Sequence, residues 1–485
     1  MRRPLLVLWL CLGFVVCVAI LLKLPVTELA KNSLVVPILE HKKPMAIAFV
    51  VLVVAAGGWF LLRRQWRAFV ALVAAAGVIV AVSAVGLFKT IYPYADPFGA
   101  ARLQQAAKLL LGTDTLLSQF DPVPALKVER KVVTRAAFPA IDVHFHLESM
   151  PESVTPERLI NGMDAAGIAQ IVNVGGNPGL FEKFAAKFYA RYPDRIIMFL
   201  KPDPSDMLKP NGFEAQVRWV EKAAAMGARG IGEIGKTLGT GQRDASGKIV
   251  PVDDPRLDPL WDKAGELGMP VLIHTGDPSP FYTPTTPHNE RYEELLENPT
   301  WSLYGRPGVP TQMELLRERE HLLARHPHTN FIAAHFGCLP DDLTYVGHLL
   351  DTYPNLYVDM SSVASDLGRQ PYTAREFFIK YQDRILFGSD GGFALDPNKN
   401  WTPERFFRSY VEFLETRNEY IEYPLEDVTK QGLWRIYGID LPRDVLEKIY
   451  VLNAEKLIPS SESVKARLAE SLEDRQASNG AAATS

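Results

Sequence analysis

Residues 141–148 read Ile-Asp-Val-His-Phe-His-Leu-Glu, and this stretch decides how the rest of the chain is read. It predicts a strand ending in a metal site. Alternate side chains of an extended chain share a face, so His144 and His146 point the same way and Asp142 lies one step deeper on that face. Two imidazoles so placed can hold one divalent cation. A lone His-x-His is a weak signal, met also in hydrogen-bonded core pairs, so the reading rests on what the remaining sequence supplies.

Working outward, short Val/Ile/Phe-rich runs alternate with longer amphipathic segments between residues 140 and 459, the pattern of a parallel sheet with helical crossovers. The runs are 141–146, 170–174, 196–201, 230–234, 270–274, 330–335, 356–360 and 385–389. Eight such units predict an α/β fold, a (β/α)8 TIM-type barrel, whose functional side chains gather at the C-terminal strand ends. The polar residues are arranged that way. His144 and His146 end the first run, Glu233 sits in the fourth, and His274 ends the fifth in Val-Leu-Ile-His-Thr-Gly. His335 ends the sixth in Phe-Ile-Ala-Ala-His-Phe-Gly, and Asp390 follows the eighth in Leu-Phe-Gly-Ser-Asp-Gly-Gly. A satisfied core histidine explains any one of these, but not the set.

In this order, the His-x-His, Ile-His-Thr-Gly, Ala-Ala-His-Phe-Gly and Gly-Ser-Asp motifs resemble the amidohydrolase superfamily, and within it the amidohydrolase-2 group, over nearly all of residues 140–459. The resemblance implies that His144, His146 and His274 bind a metal, zinc being expected and manganese the alternative. It implies that Asp390 ligates that metal or takes the proton from its bound water. His335 is a second-metal ligand in two-metal relatives and an acid/base or oxyanion donor in one-metal relatives. Two-metal members bridge their ions from strand four, where this chain offers Glu233; Lys236, three residues on, is a weaker candidate and suits an anchor for phosphate or carboxylate. The group hydrolyses amides, esters and lactones and also contains non-oxidative decarboxylases, so hydrolase and decarboxylase both stay open.

Three histidines and a carboxylate leave an open coordination position, where a cation lowers the pKa of bound water and polarises the scissile carbonyl. The long loop 277–310 after the fifth run carries Trp301, Tyr304 and Arg306, which suit a planar or carboxylated substrate or simply pack the loop onto the barrel. Asp359 and Asn173 read as supporting residues. Of the three cysteines, Cys338 stands apart from Cys11 and Cys17 and reads as a buried structural thiol.

A net charge of −4 over 485 residues gives no basic field, so nucleic acid is not an implied partner. Apolar runs at 5–22, 45–62 and 68–88 are each long enough to cross a bilayer, and predict three transmembrane helices in a membrane region 1–96. Basic residues between them place the large domain outside the cell membrane, with lipid as a partner through the spans. A connector at 97–139 with one helix, the barrel at 140–460 and a polar, disordered tail at 461–485 complete the expected organisation. The expectation is a membrane-anchored, metal-dependent hydrolase of a small molecule. The alternatives are a decarboxylase on the same site and an inactive barrel used for binding; the sequence leaves the oligomeric state open.

Overall fold

Eight parallel strands pair in chain order, from β1 to β8. In the computed structural model, which describes residues 123, 125–202, 209–392, 402–421 and 431–458, they are β1 Ala140–Phe145, β2 Ile168–Asn173, β3 Ile196–Leu200 and β4 Gly230–Ile234, then β5 Val271–Ile273, β6 Phe331–Ala333, β7 Leu356–Asp359 and β8 Ile385–Leu386. The chain divides into two compact units, Met1–Pro124 and Ala125–Ser485, and all the strands lie in the second.

Helical crossovers follow each strand: α1 Pro156–Ala166, α2 Pro178–Phe184, α3 Gly212–Ala225, α4 Asp258–Glu266, α5 Gln312–Arg325, α6 Leu343–Thr352, α7 Pro371–Lys380 and α8 Pro403–Glu415. Their ends are written in the sequence. Thr155 caps α1 by accepting from Arg158 N, Pro156 supplies the first helical residue, and Gly167 closes it in the left-handed conformation, one residue before β2. Thr311 and Glu314 form a reciprocal capping box on α5.

The strands are buried on both faces apart from the half-buried Ala169, which is why they read as continuous apolar runs rather than as alternation. Side chains such as Val143, Phe199, Ile231, Phe331 and Leu386 are fully enclosed, each worth roughly 1.5–3 kcal/mol of apolar burial. β8 returns to β1 through Val143 N to Phe387 O (2.9 Å), Asp390 N to His144 O (2.8 Å) and a parallel bridge between Phe145 and Gly391, so the barrel is nearly closed.

The eight expected runs match the eight strands, with shorter C-terminal ends in all but the fourth. The sixth stops at Ala333 because His335 and Phe336 turn into left-handed backbone, and the eighth stops at Leu386, ahead of Gly388. The multi-pass membrane location needs correction. Among the described residues no helix is long and apolar enough to cross a membrane: the longest, α3 and α5, have 14 residues each, against the roughly 20 a bilayer core requires. The expected spans at 5–22, 45–62 and 68–88, the connector helix and the tail lie outside the described residues.

Candidate active site

The end of β1 presents two imidazoles whose outer nitrogens are already committed. His144 Nδ1 lies 3.0 Å from Asp359 Oδ2, and His146 Nδ1 lies 2.7 Å from Glu148 Oε1. A carboxylate accepts, so in each neutral ring the proton sits on Nδ1 and the lone pair on Nε2. Those two Nε2 atoms are 3.2 Å apart. Asp390 Oδ1 lies 3.5 Å from the first and 3.3 Å from the second, and Glu233 Oε2 lies 3.5 Å from His146 Nε2. Four donor atoms thus converge without a proton that suits them all, as ligands do around a cation.

A second group shares Glu233. Its Oε1 lies 2.6 Å from His274 Nδ1 and 4.0 Å from His335 Nε2. His335 Nδ1 faces the Ser361 carbonyl at 2.8 Å, which fixes its proton there and leaves Nε2 as an acceptor. The two trios, His144–His146–Glu233 and Glu233–His274–His335, each bring their donor atoms within 4.8 Å of one another. His274 joins the site through Glu233 and through His335, whose ring centre lies 4.5 Å from its own and 5.2 Å from that of His144.

Electrostatics agree with this donor set. Burial opposes charge on His144 and His146, yet the surrounding carboxylates outweigh it: Asp359 and Asp390 raise the first, and Asp390 and Glu148 raise the second well above the usual imidazole range. At His274 burial is likewise outweighed, by Cys338 and Glu233. His335 goes the other way, depressed by burial and by His274. Burial alone would raise Glu233 and Asp390, but the histidines hold both below the usual carboxylate range. The carboxylates keep their negative charge, and the protons drawn onto the histidines stand where a divalent cation would. The donor set fits such an ion.

The backbone around these groups is unusual. His335, Phe336, Cys338, Ser362 and Asp390 all have left-handed φ between 54° and 59°, at the ends of β6, β7 and β8. Non-glycine residues there cost of order 1–3 kcal/mol each and persist only where the surroundings hold them. Arg319 supplies part of that support, donating from buried Nη1 to Gly337 O at 2.8 Å. Gly232 has φ 144°, and a Cβ there would meet Leu272 Cβ and O at 2.8 Å, so only glycine delivers Glu233 to this position.

A cavity of about 620 Å³ opens over the site, lined by His146, Glu233, His274, His335 and Asp390 with Lys201, Lys236 and Trp301. Of the loop residues singled out in the sequence, Trp301 lines this cavity. Tyr304 is 56% exposed and Arg306 bonds to the Thr300 carbonyl; neither lines it. Lys236 lies at its wall, 2.9 Å from Asp277 Oδ1 and 5.3 Å from the Trp301 ring centre. Cys338 is buried and unpaired with another cysteine. Asp359 accepts from His335 N, Ser361 N and His144, tying three strand ends together. Sequence reasoning passed over Glu148, Ser361, Ser362 and Lys201. Glu148 carried the clearest signal, standing two residues after His146 at the same side-chain period.

Residues 141–459 match the family model described as Amidohydrolase. No curated protein matches the chain closely. Among solved structures, an uncharacterised TIM-barrel protein from Bordetella bronchiseptica is 18% identical, covering 66% of this chain and 98% of its own, with a TM-score of 0.41. A 2,6-dihydroxybenzoate decarboxylase from Rhizobium is 18% identical over 66% of this chain and 98% of its own, at 0.39. A 4-oxalomesaconate hydratase from Rhodopseudomonas palustris is 14% identical over 69% and 99%, at 0.40.

Proposed function

Because the chain belongs to the amidohydrolase family and is on that ground a metal-dependent enzyme, we propose that it is a hydrolase that directs activated water onto an amide, ester or lactone bond. The observation that carries this reading is the position of Glu233, whose two oxygens face the two histidine groups separately, as a residue bridging two ions would. His144, His146 and Asp390 would hold one ion and His274 and His335 the other; zinc would suit the imidazole-rich set, and manganese is the alternative. Bound there, the metal supplies Lewis acidity that makes water nucleophilic near neutral pH and polarises the acceptor carbonyl.

The chain's own residues do the rest. Asp390 Oδ1 faces the histidines while Ser362 Oγ donates to Oδ2 at 2.6 Å, so one oxygen stays fixed while the other either ligates the ion or takes the proton from its bound water. Asp359 and Glu148 lock the rings of His144 and His146. His335, neutral and protonated on Nδ1, offers an acceptor at Nε2, which suits a ligand or a base and not an oxyanion donor.

Elemental mass spectrometry of the purified chain tests the reading. About two equivalents of metal, with turnover of an ester or lactone panel that disappears in H144A and H274A, is the expected result. One equivalent, with carbon dioxide released from a carboxylated substrate, would replace it with decarboxylation on the same residues.

A further inference from the structure

Of the four imidazoles at the site, three present Nε2 to its centre and commit Nδ1 elsewhere: His144 to Asp359, His146 to Glu148 and His335 to the Ser361 carbonyl. His274 is turned the other way. Its Nδ1 faces Glu233 Oε1 at 2.6 Å, and its Nε2 faces Asp277, whose Oδ1 lies 3.9 Å away. A neutral imidazole carries one proton. Once a cation takes the lone pair at Nδ1, that proton can sit only on Nε2, where it needs an acceptor.

Asp277 stands three residues after His274 and is only 5% exposed. Lys236 Nζ donates to its Oδ1 at 2.9 Å, and Gln312 Nε2 donates to its backbone carbonyl at 3.0 Å, so side chain and main chain are both held in place. The other carboxylate oxygen, Oδ2, is buried and accepts no hydrogen bond among the described residues. A dry carboxylate oxygen without a donor is unfavourable, and an N–H from the neighbouring ring removes that cost. Two other groups compete for these roles. The buried Tyr282 hydroxyl, also without a partner among the described residues, is a rival donor to Asp277, whose charge helps to push that hydroxyl up. Cys338, which acts on His274 electrostatically, is a rival neighbour for Nε2.

Resting on the two-ion reading of the site, we propose that Asp277 is a positioning residue for the second ion: it accepts the Nε2–H of His274 and so holds that ring with the Nδ1 lone pair turned to the ion beside Glu233. A small turn of either side chain closes the gap between them. Lys236, on the cavity wall, then serves the metal centre from behind by keeping Asp277 in place.

Zinc titration of the full chain, with nitrogen NMR of isotope-labelled histidine on the same samples, tests this. The wild type is expected to take up two equivalents and to carry the His274 proton on Nε2, the signal being assigned by its absence from His274→Ala. Asp277→Asn, its oxygen held by Lys236, sets an amide donor against Nε2. It should weaken the second equivalent by about 10–100-fold and leave the first, at His144, His146 and Asp390, unchanged. Tyr282→Phe and Cys338→Ala should each bind zinc as the wild type does. Equal affinity for the second equivalent in the wild type and Asp277→Asn overturns the proposal. So does a His274 proton on Nδ1 in the two-zinc chain, or a loss in Cys338→Ala as large as that in Asp277→Asn. A wild type that takes up one equivalent overturns the two-ion reading together with the proposal, and is told apart from failure of the proposal alone, in which the wild type still takes up two.

Discussion

Ser362 Oγ donates to Asp390 Oδ2 at 2.6 Å, and both residues hold left-handed backbone, with φ of 54° and 59°. Two strained turns, one after β7 and one after β8, are thus matched to each other through a single hydrogen bond. Ser362→Ala is expected to leave the fold intact and to lower metal affinity or turnover about 10-fold or more, the usual cost of losing a partner behind a ligand. Metal titration with circular dichroism on the same sample checks this; unchanged affinity would show that Asp390 needs no such support.

Asp359 is fully buried and accepts from His144 Nδ1, His335 N and Ser361 N. Asp359→Asn keeps the shape but turns an acceptor-only group into one that is half donor. The His144 ring then loses the anion that fixes its proton on Nδ1. Metal affinity should fall by about 10–100-fold. Competition with a coloured chelator measures it, and a variant that binds as tightly as the wild type would remove Asp359 from the metal centre.

Glu294 lies buried beside Arg291 (3.0 Å) and Asp366, and burial, only partly offset by Arg291, pushes its carboxyl up to about 7. Here the folded state binds the proton more tightly than the unfolded chain, whose pKa is near 4.5. Stability from this group is therefore present below about pH 4.5 and lost as pH rises through about 7, to a total of order 3 kcal/mol. Glu294→Gln, which cannot ionise, should melt higher than the wild type at pH 8 and lose that advantage near pH 5. Equal melting temperatures at pH 8 would contradict the sign.

Gly232 has no room for a methyl group, since its Cβ would sit 2.8 Å from Leu272 Cβ and O at a φ of 144°. Gly232→Ala should cost about 2–4 kcal/mol through strain and overpacking together. It should also displace Glu233 from between the two histidine groups, so the metal stoichiometry should drop even where the variant still folds. Denaturant melts and elemental analysis read the two effects separately.

The barrel was legible because strands buried on both faces leave continuous apolar runs such as Ile-Ile-Met-Phe-Leu, without the polar alternation of a half-exposed strand. The strand ends were less so: His335 and Asp390 leave the ladder through left-handed turns, and nothing in Ala-Ala-His-Phe-Gly announces the conformation of a histidine. The candidate donor residues were readable from their place at strand ends. Their pairing was not, since the contact of His144 with Asp359 joins positions 215 residues apart and follows only once the barrel closes. Loop composition likewise said little about direction. Trp301 turns into the cavity while Tyr304, three residues on, faces solvent.

The seam where the barrel closes is thin. β8 contributes two residues, and β1 is reached mainly through the Phe145–Gly391 bridge and the backbone bonds on either side of it. His144 and His146 stand on one side of that seam and Asp390 on the other. An ion held by all three would be a staple across the join, turning a span of nearly 250 residues into a cross-linked ring whose opening would first have to release the metal. Occupancy of the centre is then expected to set how long the barrel resists a protease, and a chelator to loosen the fold as well as stop turnover.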